Sequence, residues 1–188
     1  MPDVIKDGKG TGYLAAVNKE NQLVVKAVQV SNIHYRSIQG DAYIIPLHYK
    51  QVLGGTAGYA GYVTYTGVRQ LVGSQLTIST HEAGLTIVEL KSACTMTGGM
   101  AGTAGNLNSS SSKTLPATII MQYDGYFPFT PSFDGFPIIE MSGRNSTSLI
   151  LDAKDSLIIK PNSPLYFKVN CDTTNSLVRI YITCYEMD

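Results

Sequence analysis

The chain contains no tryptophan, only three cysteines, and few charges: Asp, Glu, Lys and Arg together make up 15% of its 188 residues. Soluble domains usually carry about 25% charged residues. The 14 basic and 14 acidic side chains cancel, which makes the chain a poor candidate for nucleic-acid binding, since that needs basic clusters to displace counterions. So little net repulsion suits a chain that assembles better than one that stays a free monomer. No apolar run approaches the ~20 residues of a membrane-spanning helix. The opening "MPDVIKDGKGTG" lacks the apolar centre of a secretory signal, so the chain is expected to be made in the cytoplasm and to stay off membranes. The absence of Trp weighs against a sugar-stacking platform.

Cys94, Cys171 and Cys184 form no Cys-x-x-Cys pair, and an odd count argues against a disulfide framework. "LYFKVNC" and "VRIYITCY" both alternate. As a closing hairpin they would pair Cys171 with Val178, Val169 with Ile180, Phe167 with Ile182 and Leu165 with Cys184. Six positions along a strand is roughly 20 Å, and a disulfide needs Cα atoms within about 7 Å. Three reduced thiols, mostly buried, are the expectation.

What the sequence has in abundance is short alternating segments. "YLAAV" (13–17) and "QLVVKAVQV" (22–30) flank the turn "NKEN", the pattern of a β-hairpin. "DAYIIPL" (41–47) reads as a strand ending near Pro46, which belongs at an edge or a strand end. Further strands are expected at 59–67, 74–82, 85–96, 117–123, 136–142, 148–152 and 156–160, followed by the closing hairpin. Most are rich in Val, Ile, Thr and Tyr and bounded by Gly, Pro, Asn or Asp. No window places apolar residues at the spacing of a long amphipathic helix. Many short strands without a helical layer imply an all-β fold, two sheets packed face to face as a β-sandwich or jelly roll. The expected organisation is an extended N-terminal arm (1–12), one sandwich domain (13–188), and a long serine-rich loop between 97 and 113.

Familiar site chemistry is missing. Gly8, Gly10 and Gly12 in "DGKGTG" have no strand before them and no helix after them, as a dinucleotide fingerprint requires. "GGMAGTAG" (98–105) lacks the Lys-Ser/Thr of a P-loop. His34, His48 and His81 have no metal-ligand spacing, and "HEAGL" has Leu85 where a zinc protease needs a second His. Asp152 and Asp155 have no glycine-centred calcium loop around them. There is no Gly-x-Ser-x-Gly elbow. No catalytic residue, metal or cofactor is therefore assigned, and the chain is read as not an enzyme. Asn108-Ser-Ser and Asn145-Ser-Thr match the glycosylation acceptor, which has no meaning without a secretory route. Asp124, Asp134 and Glu140 are the carboxylates a glycoside hydrolase would draw on, beside Tyr126, Phe127, Phe129, Phe133 and Phe136 as sugar-stacking rings. With Pro128, Pro131 and Pro137 interleaved, the better reading of this stretch is an ordered crossover whose rings plug the sandwich end or a subunit contact.

One resemblance covers most of the chain in order. "DGKGTGYLAAVNKENQLVVKAVQVSNIHYRSIQGDAYII", the middle "AGNLNSSSSKTLPAT" and the end "DSLIIKPNSPLYFKVNCDTTNSLVRIYITCYE" resemble the first strands, an Asn-Leu-Asn loop and the last strands of tailed-bacteriophage virion proteins. The resemblance implies a β-sandwich component of the virion. It points to a capsid decoration (cement) protein that binds the major capsid protein on the head surface, as a homo-trimer. A neck, tail or fibre-attachment part, or a glycan- or receptor-binding module, is the alternative. It supplies no active-site residue. On this expectation the partner contacts are Gly8, Gly10, Thr11 and Gly12 of the arm, Asn106 and Asn108 of the serine loop, and Tyr126 and Phe129 of the aromatic segment.

Overall fold

The computed structural model describes residues 5–6, 14–17, 23–24, 31–50, 57–81, 84–92, 94–122, 130–144 and 148–187. Contacts divide the chain into two compact units, Met1–Ser31 and Asn32–Asp188. In the first, β1 (Ile5–Lys6), β2 (Leu14–Val17) and β3 (Leu23–Val24) form a small antiparallel sheet. Ile5 lies beside Ala15, and Val17 beside Leu23. The strands on either side of "NKEN" thus pair, while "NKEN" itself lies outside the described residues.

The second unit opens with a helix, α1 (Asn32–Gln39), and continues entirely in strands: β4 (Ala42–Lys50), β5 (Ala57–Tyr65), β6 (Gln70–His81), β7 (Leu85–Lys91), β8 (Thr95–Thr97), β9 (Met100–Ala101), β10 (Gly105–Asn106), β11 (Ala117–Met121), β12 (Thr130–Phe133), β13 (Pro137–Arg144), β14 (Ser148–Ile159), β15 (Pro164–Cys171) and β16 (Leu177–Met187). One sheet has the order β10-β4-β16-β6-β14 and the other β13-β7-β15-β5-β11-β9, with β8 and β12 as a separate ribbon.

The connectivity is that of a jelly roll, and the registers show why. β4 pairs with β16 (Ala42 with Tyr185), β5 with β15 (Thr64 with Pro164), β6 with β14 (Ser79 with Ser148), and β7 with β13 (Leu85 with Arg144). Each antiparallel pair is nested inside the previous one about a common midpoint near Thr114. Eight strands therefore behave as one long hairpin wrapped around itself into two four-stranded layers. The serine-rich stretch lies at its apex.

Alternation along these strands builds the interface between the layers. Tyr43, Ile45, Leu47 and Tyr49 of β4 meet Val63 and Tyr65 of β5, Phe167 and Val169 of β15, and Ile180 and Ile182 of β16 in one buried cluster. Each inward residue is separated from the next by an outward one, as a period of two requires. Gly61 of β5 has φ +153°, and a Cβ there would lie 2.2 Å from the Ile120 carbonyl, so only glycine lets β11 approach β5.

Three expectations need correction. The last two strands are not a hairpin: β15 pairs with β5 and β7, whereas β16 pairs with β4 and β6. Residues 172–176 carry the chain from one sheet to the other. Alternation assigns the inward face of each strand correctly but is silent on which sheet the strand joins. All three thiols are nonetheless free, Cys171 and Cys184 buried and Cys94 half-buried. β4 also does not end near Pro46. It runs on to Lys50, because β10 covers only Tyr43 and Ile44 on that side; past them β4 is an edge, where proline is tolerated. Finally, 148–152 and 156–160 are one strand, β14, whose ladder to β6 is interrupted between Asp152 and Leu157.

The helix α1 was not foreseen. It is eight residues long with no buried side chain of its own. Its partly buried Ile33 packs with Ala42, Val72, Tyr185 and Met187 in a small second cluster. That covers one patch of the outer face of the first sheet.

Candidate functional site

Of the expected partner contacts, Gly8, Gly10, Thr11, Gly12, Tyr126 and Phe129 lie outside the described residues. Asn106 and Asn108 are described, and their amides are engaged within the chain. Asn106 Nδ2 donates to the carbonyls of Gly40 (2.9 Å) and Lys113 (3.0 Å), while its Oδ1 accepts from Asn108 N–H at 2.8 Å. Asn108 Nδ2 donates to Ile38 O at 3.1 Å. Lys113 Nζ reaches Gln39 O (3.0 Å) and Asp41 Oδ1 (2.6 Å). A helix leaves its last carbonyls without intrahelical donors. Here three loop side chains supply donors to three successive carbonyls, 38 to 40. Gly40 itself is in the left-handed conformation (φ +76°) with Ser111 against its backbone; it closes the helix as a C-terminal glycine does. The polar apex is a cap folded back onto α1 and the start of β4.

A second constellation lies on the outer face of the β7–β15–β5 sheet. Register places Glu140 of β13, Glu89 of β7, Lys168 of β15 and Tyr59 of β5 in one row across the strands. Lys91, two residues along β7, points to the same face opposite Tyr166. An outward lysine is ordinarily solvated. This one is 5% exposed, and its Nζ donates to the carbonyl of Gly135 at 2.6 Å.

Asp134, which follows β12, gathers the charges. Lys91 Nζ is 2.7 Å from its Oδ1, Lys168 holds its Oδ2, and the Tyr59 hydroxyl donates to Oδ1. Burial pushes the Asp134 carboxyl up, but hydrogen bonds from Lys168, Lys91 and Tyr59 more than reverse this and hold it well below the usual carboxylate range. That is the opposite of the raised carboxyl that the acid of a glycoside hydrolase needs. Glu140 is exposed on β13, and Asp124 lies outside the described residues. Burial would lower the Lys91 ammonium, and contacts with Asp134 and Glu89 turn the shift upward. Tyr59 is pushed up by burial and by its bonds to Asp134 and Cys94. Glu89 Oε2 lies 3.1 Å from Lys91 Nζ, yet it is shielded from water and accepts no hydrogen bond. The contact is a close ion pair, the Lys91 ammonium lying between Glu89, Asp134 and the Gly135 carbonyl.

The third feature is apolar. β13 and β14 are the free edges of their two sheets and lie on the same side of the sandwich. Between them opens a groove of about 390 Å³ lined by Ile138, Leu157, Ile158, Ile159, Pro164 and Leu165, together with Ser92, Lys160 and Ser163. Ile138, Ile158 and, farther along β14, Ile150 are about half exposed or more, and Phe136 is 90% exposed. An exposed apolar patch beside two unpaired strand edges invites association. The individual alternating strands were legible in the sequence. Their adjacency was not, since β13 and β14 belong to different sheets.

Among the described residues no group of His, Cys, Asp and Glu gathers as a metal site. No protein-family profile matches this chain, and no curated protein matches it. Among solved structures, the VP2 subviral particle of infectious bursal disease virus aligns with this chain, as do T=1 particles derived from infectious bursal virus. The alignments cover 78% of this chain and 41% and 40% of those chains, at 12% and 13% identity, with TM-score 0.17. This chain spans about two fifths of their length, and so low a score carries no argument.

Proposed function

We propose that this chain is a structural component of a virus particle: a bacteriophage capsid decoration protein that binds the major capsid protein and associates with copies of itself. The observation that carries the reading is the open side of the sandwich. Two free strand edges flank a groove with Ile138, Ile158 and Phe136 in solvent, a surface that a lone soluble domain usually protects. The jelly roll supports it only by analogy, since that architecture serves viral shells, lectins and enzymes alike. The balanced, sparse charge and the internally engaged polar groups around Asp41 and Asp134 agree with a part whose work is packing.

Quantified protein bands from purified particles test this. Hundreds of copies per particle are expected. A single small ring of copies would move the chain to the neck or tail, and absence from the particle would refute the proposal. Replacing Ile138 and Ile158 together with aspartate is expected to abolish self-association and shell binding while leaving the fold intact; unchanged binding would remove this edge from the account.

A further inference from the structure

We propose that Lys91 and Asp134 react to form an intramolecular amide crosslink, with Glu89 as the proton carrier. The juxtaposition is specific. Lys91 Nζ, 5% exposed, sits 2.7 Å from Asp134 Oδ1. It is also 3.1 Å from a Glu89 oxygen that is sealed from water and has no hydrogen-bond donor of its own. The two reacting residues mark the ends of the whole apical excursion: Lys91 is the last residue of β7 and Asp134 follows β12.

Each neighbour has a role in the step. Glu89 accepts a proton from the Lys91 ammonium and hands it on to the Asp134 carboxyl, which leaves a neutral amine beside a neutral acid. The amine lone pair attacks Asp134 Cγ and forms the C–N bond. Tyr59 and Lys168, which donate to the two carboxyl oxygens, hold the negative charge that develops there. One C–O bond then breaks, and the oxygen leaves with two of the three ammonium hydrogens as water. Ammonium plus carboxylate equals amide plus water, so no oxidant, reductant or activating group is needed. Condensation of free groups in water is unfavourable. Groups held in contact behave as if present at effective concentrations up to ~10⁵–10⁸ M, and Lys91 is 5% exposed although Asp134 is 39% exposed, so contact rather than exclusion of water drives the step. The second lysine explains why the pair is held tightly, and Glu89 selects Lys91 over Lys168, because only Lys91 has an ion contact to it.

This inference does not depend on the virion reading, and intact-mass spectrometry of the purified full chain tests it. The expected mass is one water below that of the sequence. Tandem spectra of a tryptic digest should show the peptides of Lys91 and Asp134 joined, and hydroxylamine should leave the link intact. Asp134→Ala and Lys91→Arg are expected at full mass. The nearly isosteric Glu89→Gln, with its strand content checked by circular dichroism, is expected to stay at full mass while folded. Wild-type protein at full mass after prolonged incubation overturns the proposal. So does a water loss that hydroxylamine removes, since that is a succinimide at Asp134-Gly135, and so does a link mapped to Lys168.

Discussion

Asn106 is the single residue on which the two readings of the serine loop diverge most sharply. If the loop served only to touch a partner, Asn106→Ala would leave the isolated chain as stable as before. The structure says otherwise. The substitution removes two donated bonds, to Gly40 O and Lys113 O, and one accepted bond from Asn108 N–H. Each such bond contributes about 0.5–1.5 kcal/mol net. The site is part-buried, so water replaces some of what is lost, and an overall cost of about 2 kcal/mol follows from the lower part of that range. With a urea m-value of about 2 kcal/mol/M, the midpoint should fall by roughly 1 M with its slope unchanged. Asn106→Asp sharpens the test, because it keeps the acceptor for Asn108 and loses both donors. It should recover about a third of the loss at most, since like the alanine it leaves the Gly40 and Lys113 carbonyls without their donor. The assay is equilibrium unfolding of the isolated chain followed by circular dichroism. A destabilisation by Asn106→Ala below about 0.5 kcal/mol, the range of neutral surface changes, would refute the capping argument.

Three further outcomes follow from the same geometry. Phe167→Ala empties a fully buried position between the sheets and should cost about 3–5 kcal/mol, read as a lowered unfolding midpoint. Cys184 is pushed up to about 12 by burial and by Glu186, and Cys171 is raised by burial; a thiol reagent at neutral pH should therefore label neither until denaturant is added. Asp134 titrates lower in the folded chain than its unfolded value near ~3.9, so its stabilisation is complete above that value and is lost as pH falls toward its folded pKa. Wherever Asp134 remains a free carboxyl, as in Lys91→Arg, acid titration of stability should be steeper than in the same chain carrying Asp134→Asn; equal slopes would show that the carboxylate is not held by its neighbours Lys168 and Tyr59.

The candidate site was legible only in part. Asn106 and Asn108 stood out as the ends of an Asn-Leu-Asn loop expected to touch a partner, not as donors to the chain's own backbone. Their target did not, since α1 lies some seventy residues earlier and its eight residues carry no periodicity long enough to register. Asp134 was noticed as a carboxylate among aromatic rings. Its partners Lys91 and Lys168 carried no signal: a lysine at an outward position of an alternating strand looks solvated, and only the segment 134–136 laid over that face buries Lys91. The aromatic stretch itself leaves Phe133 and Phe136 in solvent, among its described residues, so these two rings do not fill the interior of the sandwich.

Alternation at a period of two, dense Val, Ile and Tyr, and frequent turn residues are enough to dictate strands, their inward faces and a two-layered all-β body. Sparse, cancelling charge makes the chain a poor candidate for nucleic-acid binding. Those properties are local, so a reading of neighbours along the chain captures them. Partnership is not local. Whether β16 lies beside β15 or crosses to β4 and β6, and whether Lys91 meets water or Asp134, depends on the nested pairing of residues up to 143 positions apart. Both alternatives bury the same side chains, so apolar pattern alone cannot choose between them; the closure of the jelly roll makes that choice.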